Sequence, residues 1–272
     1  DSKYDFSVGV GGAGGTAERR PGQPGGHASS VRGGRGGHAG PTLGAAAPAP
    51  GAATASAPGK RAGSVASLMV MFRDRRHAGM LLGEQVRSLG LADPVVLGLP
   101  RGGVVGAAEV ARALGAPLDV LVVRKLGAPG NPELGIGAIA EGGVTALNEG
   151  LIARLRVSPS ELAAVTDREQ RELVRRTAAY RRGRPSLPLR GRVAVVVDDG
   201  LATGYTARAA VAAARQRGAS AVVLAVPVAA PETAAEFASL VDRLVCVESP
   251  VLLFAVGAAY ADFSQTGDEE VE

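Results

Sequence analysis

The 272-residue chain contains no tryptophan, one cysteine and three histidines, and aromatic residues make up 3% of it. A single cysteine excludes an internal disulfide framework and a Cys-rich zinc site. Cys246 lies in an apolar run and reads as a core thiol. His27 and His38 fall in a Gly/Ala/Pro-rich stretch, which leaves His77 alone in the remainder. That excludes two-histidine metal sites and argues against a Ser-His-Asp triad, so His77 reads as an exposed helix residue. Branched apolar residues are scarce from Asp1 to Leu68. Ordering a backbone costs about 1–2 kcal/mol per residue, which such a segment cannot offset by burial. Residues 1–68 are therefore expected to be a disordered tail, with the folded domain over 69–272.

Charge divides at the same boundary. The tail carries seven Lys and Arg against three acids, and residues 69–272 carry 23 of each. The net charge of +4 thus comes from the tail, and the neutral domain has no electrostatic footprint for nucleic acid or an anionic membrane. The run Arg32-Gly33-Gly34-Arg35-Gly36-Gly37 reads either as an RGG-like RNA contact or as part of a tail without function. No signal or transit pattern is present, so a cytoplasmic location is expected. The methionines are Met69, Met71 and Met80, and translation is expected to start where the composition turns globular.

From Phe72 onward, helical periods alternate with short apolar runs, which predicts an α/β domain with a mainly parallel sheet covered by helices on both faces. The strand runs are Val95–Leu99, Leu118–Val123, Val193–Val197, Ala221–Val226 and Leu244–Val247. Each is nearly all apolar, as strands buried on both faces are. Helices are expected after Asp74, over Gly103–Leu114, Thr203–Arg217 and Pro231–Leu240. The capping box Ser158-Pro159-Ser160-Glu161 opens a charged helix to about Tyr180, which with Asn148–Arg156 makes an inserted helical pair.

In open parallel sheets ligands collect beyond the carboxyl ends of the strands. Three turns stand there. After Val197 come Asp198 and Asp199, then Ala202-Thr203-Gly204-Tyr205-Thr206 at a helix start. Backbone N–H groups and hydroxyls at a helix N-terminus cradle a phosphate, and two carboxylates suit a vicinal diol, directly or through a divalent cation. Phosphate beside a diol describes ribose 5-phosphate. After Leu99 come Pro100-Arg101-Gly102-Gly103, where a guanidinium and exposed amides meet another helix start. After Val123 come Arg124 and Lys125, and then the Gly-rich stretch Gly127–Gly143, which reads as a mobile lid. Glu133 and Glu141 within it read as acid-base candidates or as solvated carboxylates.

The strand followed by D-D-x-x-A-T-G-x-T resembles the phosphoribosyl-pyrophosphate signature of type I phosphoribosyltransferases, and L-P-R-G-G, R-K-L-G-A-P and the D-F-S-Q-T end resemble an uncharacterised bacterial branch of that family. The resemblance covers about Phe72 to Glu272. It implies that Asp198 and Asp199 hold the ribose hydroxyls, with the 5-phosphate in the loop Ala202–Thr206. It makes Pro100–Gly103 the pyrophosphate loop, with a strained or cis peptide expected at Arg101–Gly102, and sets Arg124 and Lys125 near the pyrophosphate. Tyr205 departs from the small residue or Lys usual there, so its side chain must point away.

Phe254, Tyr260 and Asp262 resemble the carboxyl-terminal hood of the hypoxanthine-guanine enzymes, where a Phe stacks on the base and an Asp sits near the metal. Phe254 reads equally as a core residue. Asp262 is displaced by one position from that pattern. Ala202 stands where the 6-oxopurine enzymes have an acid, which moves the chain away from hypoxanthine and guanine. The implied reaction is Mg²⁺-dependent transfer of phosphoribosyl to a nitrogenous acceptor such as a nucleobase, with Arg101 and Lys125 neutralising the departing pyrophosphate. The implied partners are small-molecule substrates, with room for a homodimer. A sensor that binds without turnover and a partner-dependent subunit share the same site residues.

Overall fold

The computed structural model describes residues 6–10 and 71–271, which fall in one compact unit. Five parallel strands form the central sheet in the order β3-β2-β7-β8-β9: Leu118–Val120, Pro94–Gly98, Val193–Val197, Ala221–Val228 and Arg243–Glu248. In β2, β7 and β8 alternate residues serve two separate cores, which is why those runs are apolar at every position, whereas β3 carries Asp119 and β9 is bounded by Arg243 and Glu248. Val96, Val195, Val197, Val223 and Ala225 meet the helices α1 (Arg75–Arg87) and α2 (Gly102–Leu114). Val95, Leu97, Ala194, Val196, Val222 and Leu224 meet α5 (Tyr205–Gln216) and Phe237 of α6 (Pro231–Leu240). Asp74 caps α1 by accepting from the His77 N–H at 2.7 Å, and the Ser158 capping box opens α4 (Pro159–Arg181), both as the sequence predicts.

The chain also builds a second sheet, four-stranded and antiparallel, in the order β1-β6-β5-β4. The single run expected over Leu118–Val123 is two strands, because the chain leaves the parallel sheet at Leu121 and starts β4 (Val123–Ala128) in the other one. β5 (Asn131–Ala140) and β6 (Val144–Asn148) complete a meander. The stretch Gly127–Gly143 is therefore not a mobile loop with few contacts. Its inner half, Ile136–Ala140, is buried, and the exposed residues are the tip Gly130–Leu134 and the turn residue Gly142. Its glycines serve close packing: a Cβ at Gly137 would lie 2.5 Å from the Ala146 carbonyl oxygen, and one at Gly127 would lie 2.4 Å from that of Pro132.

β1 (Phe6–Val10) pairs antiparallel with β6, from Phe6 against Asn148 to Val10 against Val144. These five residues correct the expectation of disorder throughout 1–68. The RGG-like run and the start near Met69 lie outside the described residues.

Helix α5 is sandwiched between the two sheets. Tyr205, Ala207, Arg208, Ala209, Ala210, Val211, Ala213 and Ala214 are all buried, and the alanine content is what lets a helix approach two sheets at once. The far side of the antiparallel sheet is covered by α4, through Val165, Leu173 and Tyr180. The inserted pair is thus α3 (Glu149–Arg154) and α4, a structural cover for the second sheet. No described helix is long and apolar enough to cross a membrane.

Candidate active site

Strand β2 pairs with β7 so that Gly98 lies opposite Val197, and the Leu99 N–H donates to the Val197 carbonyl at 2.9 Å. The two loops that follow therefore start at the same level. β3 lies on one side of β2 and β7 on the other, so the chain diverges between them and leaves a crevice where ligands bind in open sheets. Gly102 and Gly103 stand against the acid pair. A Cβ at Gly102 would sit 1.9 Å from Asp199 Oδ2, and one at Gly103 would sit 2.7 Å from the Val197 carbonyl oxygen. Only glycine lets the two loops meet.

Two long helices begin at this crevice without side-chain caps. Arg101 is the residue before α2 and Gly204 the residue before α5, and neither supplies a capping bond. Uncapped first-turn amides with the helix partial charge behind them suit phosphate oxygens. Gly204 has φ 74°, and a Cβ there would meet the Phe237 ring at 2.5 Å, so this glycine is fixed by backbone conformation and by packing together. Ala202 and Thr203 are exposed and Thr206 is half-buried. Thr233 braces the loop by donating its hydroxyl to the Ala202 carbonyl at 2.9 Å.

Tyr205 turns away from the loop, as its position demands. Its side chain is buried in the core, and its hydroxyl accepts from Asn148 Nδ2 at 3.1 Å. Asn148 also caps α3 by accepting from the Leu151 N–H at 2.9 Å, so one buried amide joins the phosphate-loop helix to the second sheet.

The acid pair is not symmetric. Asp198 accepts from the Asp199 N–H at 2.9 Å, and burial together with the neighbouring Asp199 charge pushes its carboxyl well above the usual carboxylate range. Asp199 faces a cation: Arg75 Nε donates to its Oδ2 at 2.8 Å. The Tyr260 hydroxyl donates to the Asp199 carbonyl at 2.5 Å, and burial raises that phenol far above its ordinary value. Arg75 and Tyr260 come from opposite ends of the folded region. Arg75 carries no local signal beyond its place in the first turn of α1, so reading the sequence misses it.

Other expected site residues are dispersed. Strand alternation sends Arg124 and Lys125 to opposite faces. Arg124 is committed to Glu169 of α4 at 2.8 Å and does not reach the crevice. Lys125 lies on the α5 side, where a Cβ at Gly135 would touch both its stem at 3.3 Å and the Tyr205 ring at 3.4 Å. Its ammonium donates to the Glu133 carbonyl at 2.9 Å. Arg101 Nη1 lies 3.8 Å from Asp268 in the short helix α7 (Asp268–Val271). The cis peptide is Pro100–Arg101, one bond earlier than expected.

Glu141 is no free acid or base, because it accepts from Arg181 Nη1 at 2.7 Å and from the Val122 N–H at 2.7 Å. Phe254 is 82% exposed, which excludes the core reading. The hood reaches the site through Val256, whose methyl would lie 2.4 Å from a Cβ at Gly200. Asp262 is exposed and accepts from the Ser264 N–H at 2.9 Å, which holds its carboxyl below the usual range. Among the described residues, no three His, Cys, Asp or Glu side chains cluster as metal ligands, so Asp262 is not gathered with Asp198 and Asp199.

A Thermus thermophilus protein of known crystal structure is 48% identical to this chain and superposes with a TM-score of 0.64, covering 74% of this chain and 96% of that one. Two Mycobacterium tuberculosis proteins, from strains CDC 1551 and H37Rv, carry provisional names as phosphoribosyl transferases. Each is 51% identical over 203 residues, 75% of this chain and 46% of theirs. The chain thus spans about half the length of these curated relatives. The family profile described as a phosphoribosyl transferase domain matches residues 75–262, from the arginine that faces Asp199 to the far end of the hood, and the chain belongs to that family.

Proposed function

We propose that this domain binds 5-phosphoribosyl 1-pyrophosphate with Mg²⁺ and transfers the phosphoribosyl group to a nitrogenous acceptor. The observation that carries the reading is the β2–β7 register, with Gly102 and Gly103 against Asp199 and Asp198 beside two uncapped helix starts. In the reaction the bond from the anomeric carbon to the pyrophosphate oxygen breaks. A bond from that carbon to the acceptor nitrogen forms, and the acceptor loses a proton.

The ribosyl centre becomes cation-like, so the protein's task is to hold the sugar, take up charge on the leaving group and exclude water. The amides of Ala202–Thr206 hold the 5-phosphate, and Asp198 and Asp199 accept from the ribose hydroxyls. The Gly102 amide receives the pyrophosphate, the Gly103 N–H being taken by the Leu99 carbonyl at 3.0 Å. Arg101, 34% exposed at the side chain, and Lys125, 45% exposed, can swing to it from their present partners.

Asp198 and Asp199, with no third His, Cys, Asp or Glu gathered beside them among the described residues, would hold a Mg²⁺ ion through their carboxylate oxygens. When bound, the ion adds positive charge to the departing pyrophosphate. Pyrophosphate release is to be measured with phosphoribosyl pyrophosphate, Mg²⁺ and a panel of free bases and simple amines, beside calorimetric binding. Release dependent on one acceptor class is expected. Tight binding with no release for any acceptor points instead to a sensing module, and absence of binding overturns the reading.

A further inference from the structure

We infer that Arg75 is the positioning residue of the ribose subsite, fixing the Asp199 carboxylate so that recognition of a vicinal diol depends on it. This deepens the proposed function and rests on it. The guanidinium is held on three sides. Nε donates to Asp199 Oδ2 at 2.8 Å, Nη1 donates to the Ser264 carbonyl at 2.7 Å, and the planar face lies 3.7 Å from the centre of the Phe263 ring. The Arg75 and Asp199 side chains are 13% and 19% exposed, so this is not a solvated surface pair of the kind that contributes almost nothing.

Asp199 is anchored at both its side chain and its backbone. Tyr260 holds the Asp199 carbonyl, and the Tyr260 ring itself packs at 5.4 Å from Phe72 and 5.0 Å from Phe263. With Oδ2 taken by Arg75, and no donor bonded to Oδ1 among the described residues, Oδ1 is the oxygen left for a ligand hydroxyl. Gly102 is part of the device, since a Cβ there would fall 1.9 Å from Oδ2 and 2.8 Å from Arg75 Nε.

Lysine cannot reproduce the arrangement. Its ammonium lacks the planar fork that bonds a carboxylate and a carbonyl at once while its face lies on an aromatic ring. Arg75 belongs to the first turn of α1, and Ser264 and Phe263 to the segment that follows the hood. The ion pair therefore ties the ribose acid to both ends of the folded region.

The test compares ribose 5-phosphate with 2-deoxyribose 5-phosphate by calorimetric titration, for the full chain and for Arg75→Ala and Arg75→Lys, beside thermal melts. The parent is expected to prefer the ribose compound by about tenfold, the effect of one charge-assisted hydrogen bond. Arg75→Ala should lose that preference while binding the deoxy compound as the parent does, because the phosphate loop is untouched. Arg75→Lys should restore only part of it. An Ala variant that keeps the full preference overturns the inference. So does one that loses both sugars equally with a lowered melting temperature, since that marks a purely structural pair. Should Arg75→Ala fail to fold, Phe263→Leu removes the stacking surface and should narrow the same preference; no change there also overturns the inference. A parent that binds neither sugar phosphate removes the proposed function first, whereas a parent that discriminates beside an unchanged variant removes the role of Arg75 alone.

Discussion

The two sheets solve the same burial problem with opposite materials. The parallel sheet fills both faces mainly with branched side chains, Val95, Val96, Leu97, Val195, Val196 and Val197 among them, with a close approach to α2 at Gly98, where a Cβ would fall 2.9 Å from the Val104 Cα. The antiparallel sheet meets α5 through Ala138, Ala140 and Ala146, and its strands abut at Gly127 and Gly137. Small residues bring backbones together. The first sheet depends on side-chain volume and the second on its absence, so they should fail under opposite kinds of substitution.

The largest effect is expected where volume is added to the second sheet. Gly137→Val places atoms into the Ala146 carbonyl, with a Cβ separation of 2.5 Å, and against Leu147. Overpacking of this kind should destabilise by about 3 kcal/mol, read from denaturant unfolding. Val195→Ala in the parallel sheet removes volume instead and should cost about 1–3 kcal/mol through lost burial and a cavity. If Gly137→Val were neutral, the close approach of β5 and β6 would not be what the glycine serves.

The acid pair comes next, because it hangs on the parallel sheet yet does little for it. Asp198→Asn should raise the melting temperature slightly, since it removes a carboxylate whose ionisation burial and Asp199 both oppose. Asp199→Asn should lower it, because Arg75 loses its partner. Both should weaken phosphoribosyl pyrophosphate binding by about 1.5–3 kcal/mol, measured calorimetrically with Mg²⁺. Equal stability changes in the two variants would erase the asymmetry described for the pair.

A smaller effect is expected at the edge of the second sheet. Deleting residues 1–12 removes β1 and bares β6, and Val8, the apolar side chain described in that strand, is 60% exposed. A loss of about 1 kcal/mol or less is expected, with faster hydrogen exchange confined to Val144–Asn148. In the same experiment the amides of Gly137–Ala140 should be protected like those of Val193–Val197. Rapid exchange there would restore the mobile-lid expectation. The smallest effect concerns Cys246. Burial pushes its thiol up to about 11, so alkylation at pH 8 should be slow in the native protein and fast in denaturant.

The parallel sheet, its helices, the capping residues Asp74 and Ser158, and the loops at Pro100–Gly103 and Asp198–Thr206 were legible because each has a local cause. A strand buried on both faces is apolar at every position, a cap is a side chain three residues from its amide, and a phosphate loop is a helix start. The second sheet was not legible, because glycine carries the same letter whether it frees a loop or admits a neighbouring backbone. Arg124 and Lys125 look alike in sequence, yet strand alternation sends one to Glu169 and the other toward Tyr205. Arg75 and Asp199 are 124 positions apart, and only the packing of α1 beside the β2–β7 crevice brings them to 2.8 Å. Local pattern is enough to say which segments form the parallel sheet and which residue types wait at its carboxyl end. Which charges meet there is a matter of packing, because an ion pair is set by distance and desolvation, and neither is encoded within a few residues of either partner.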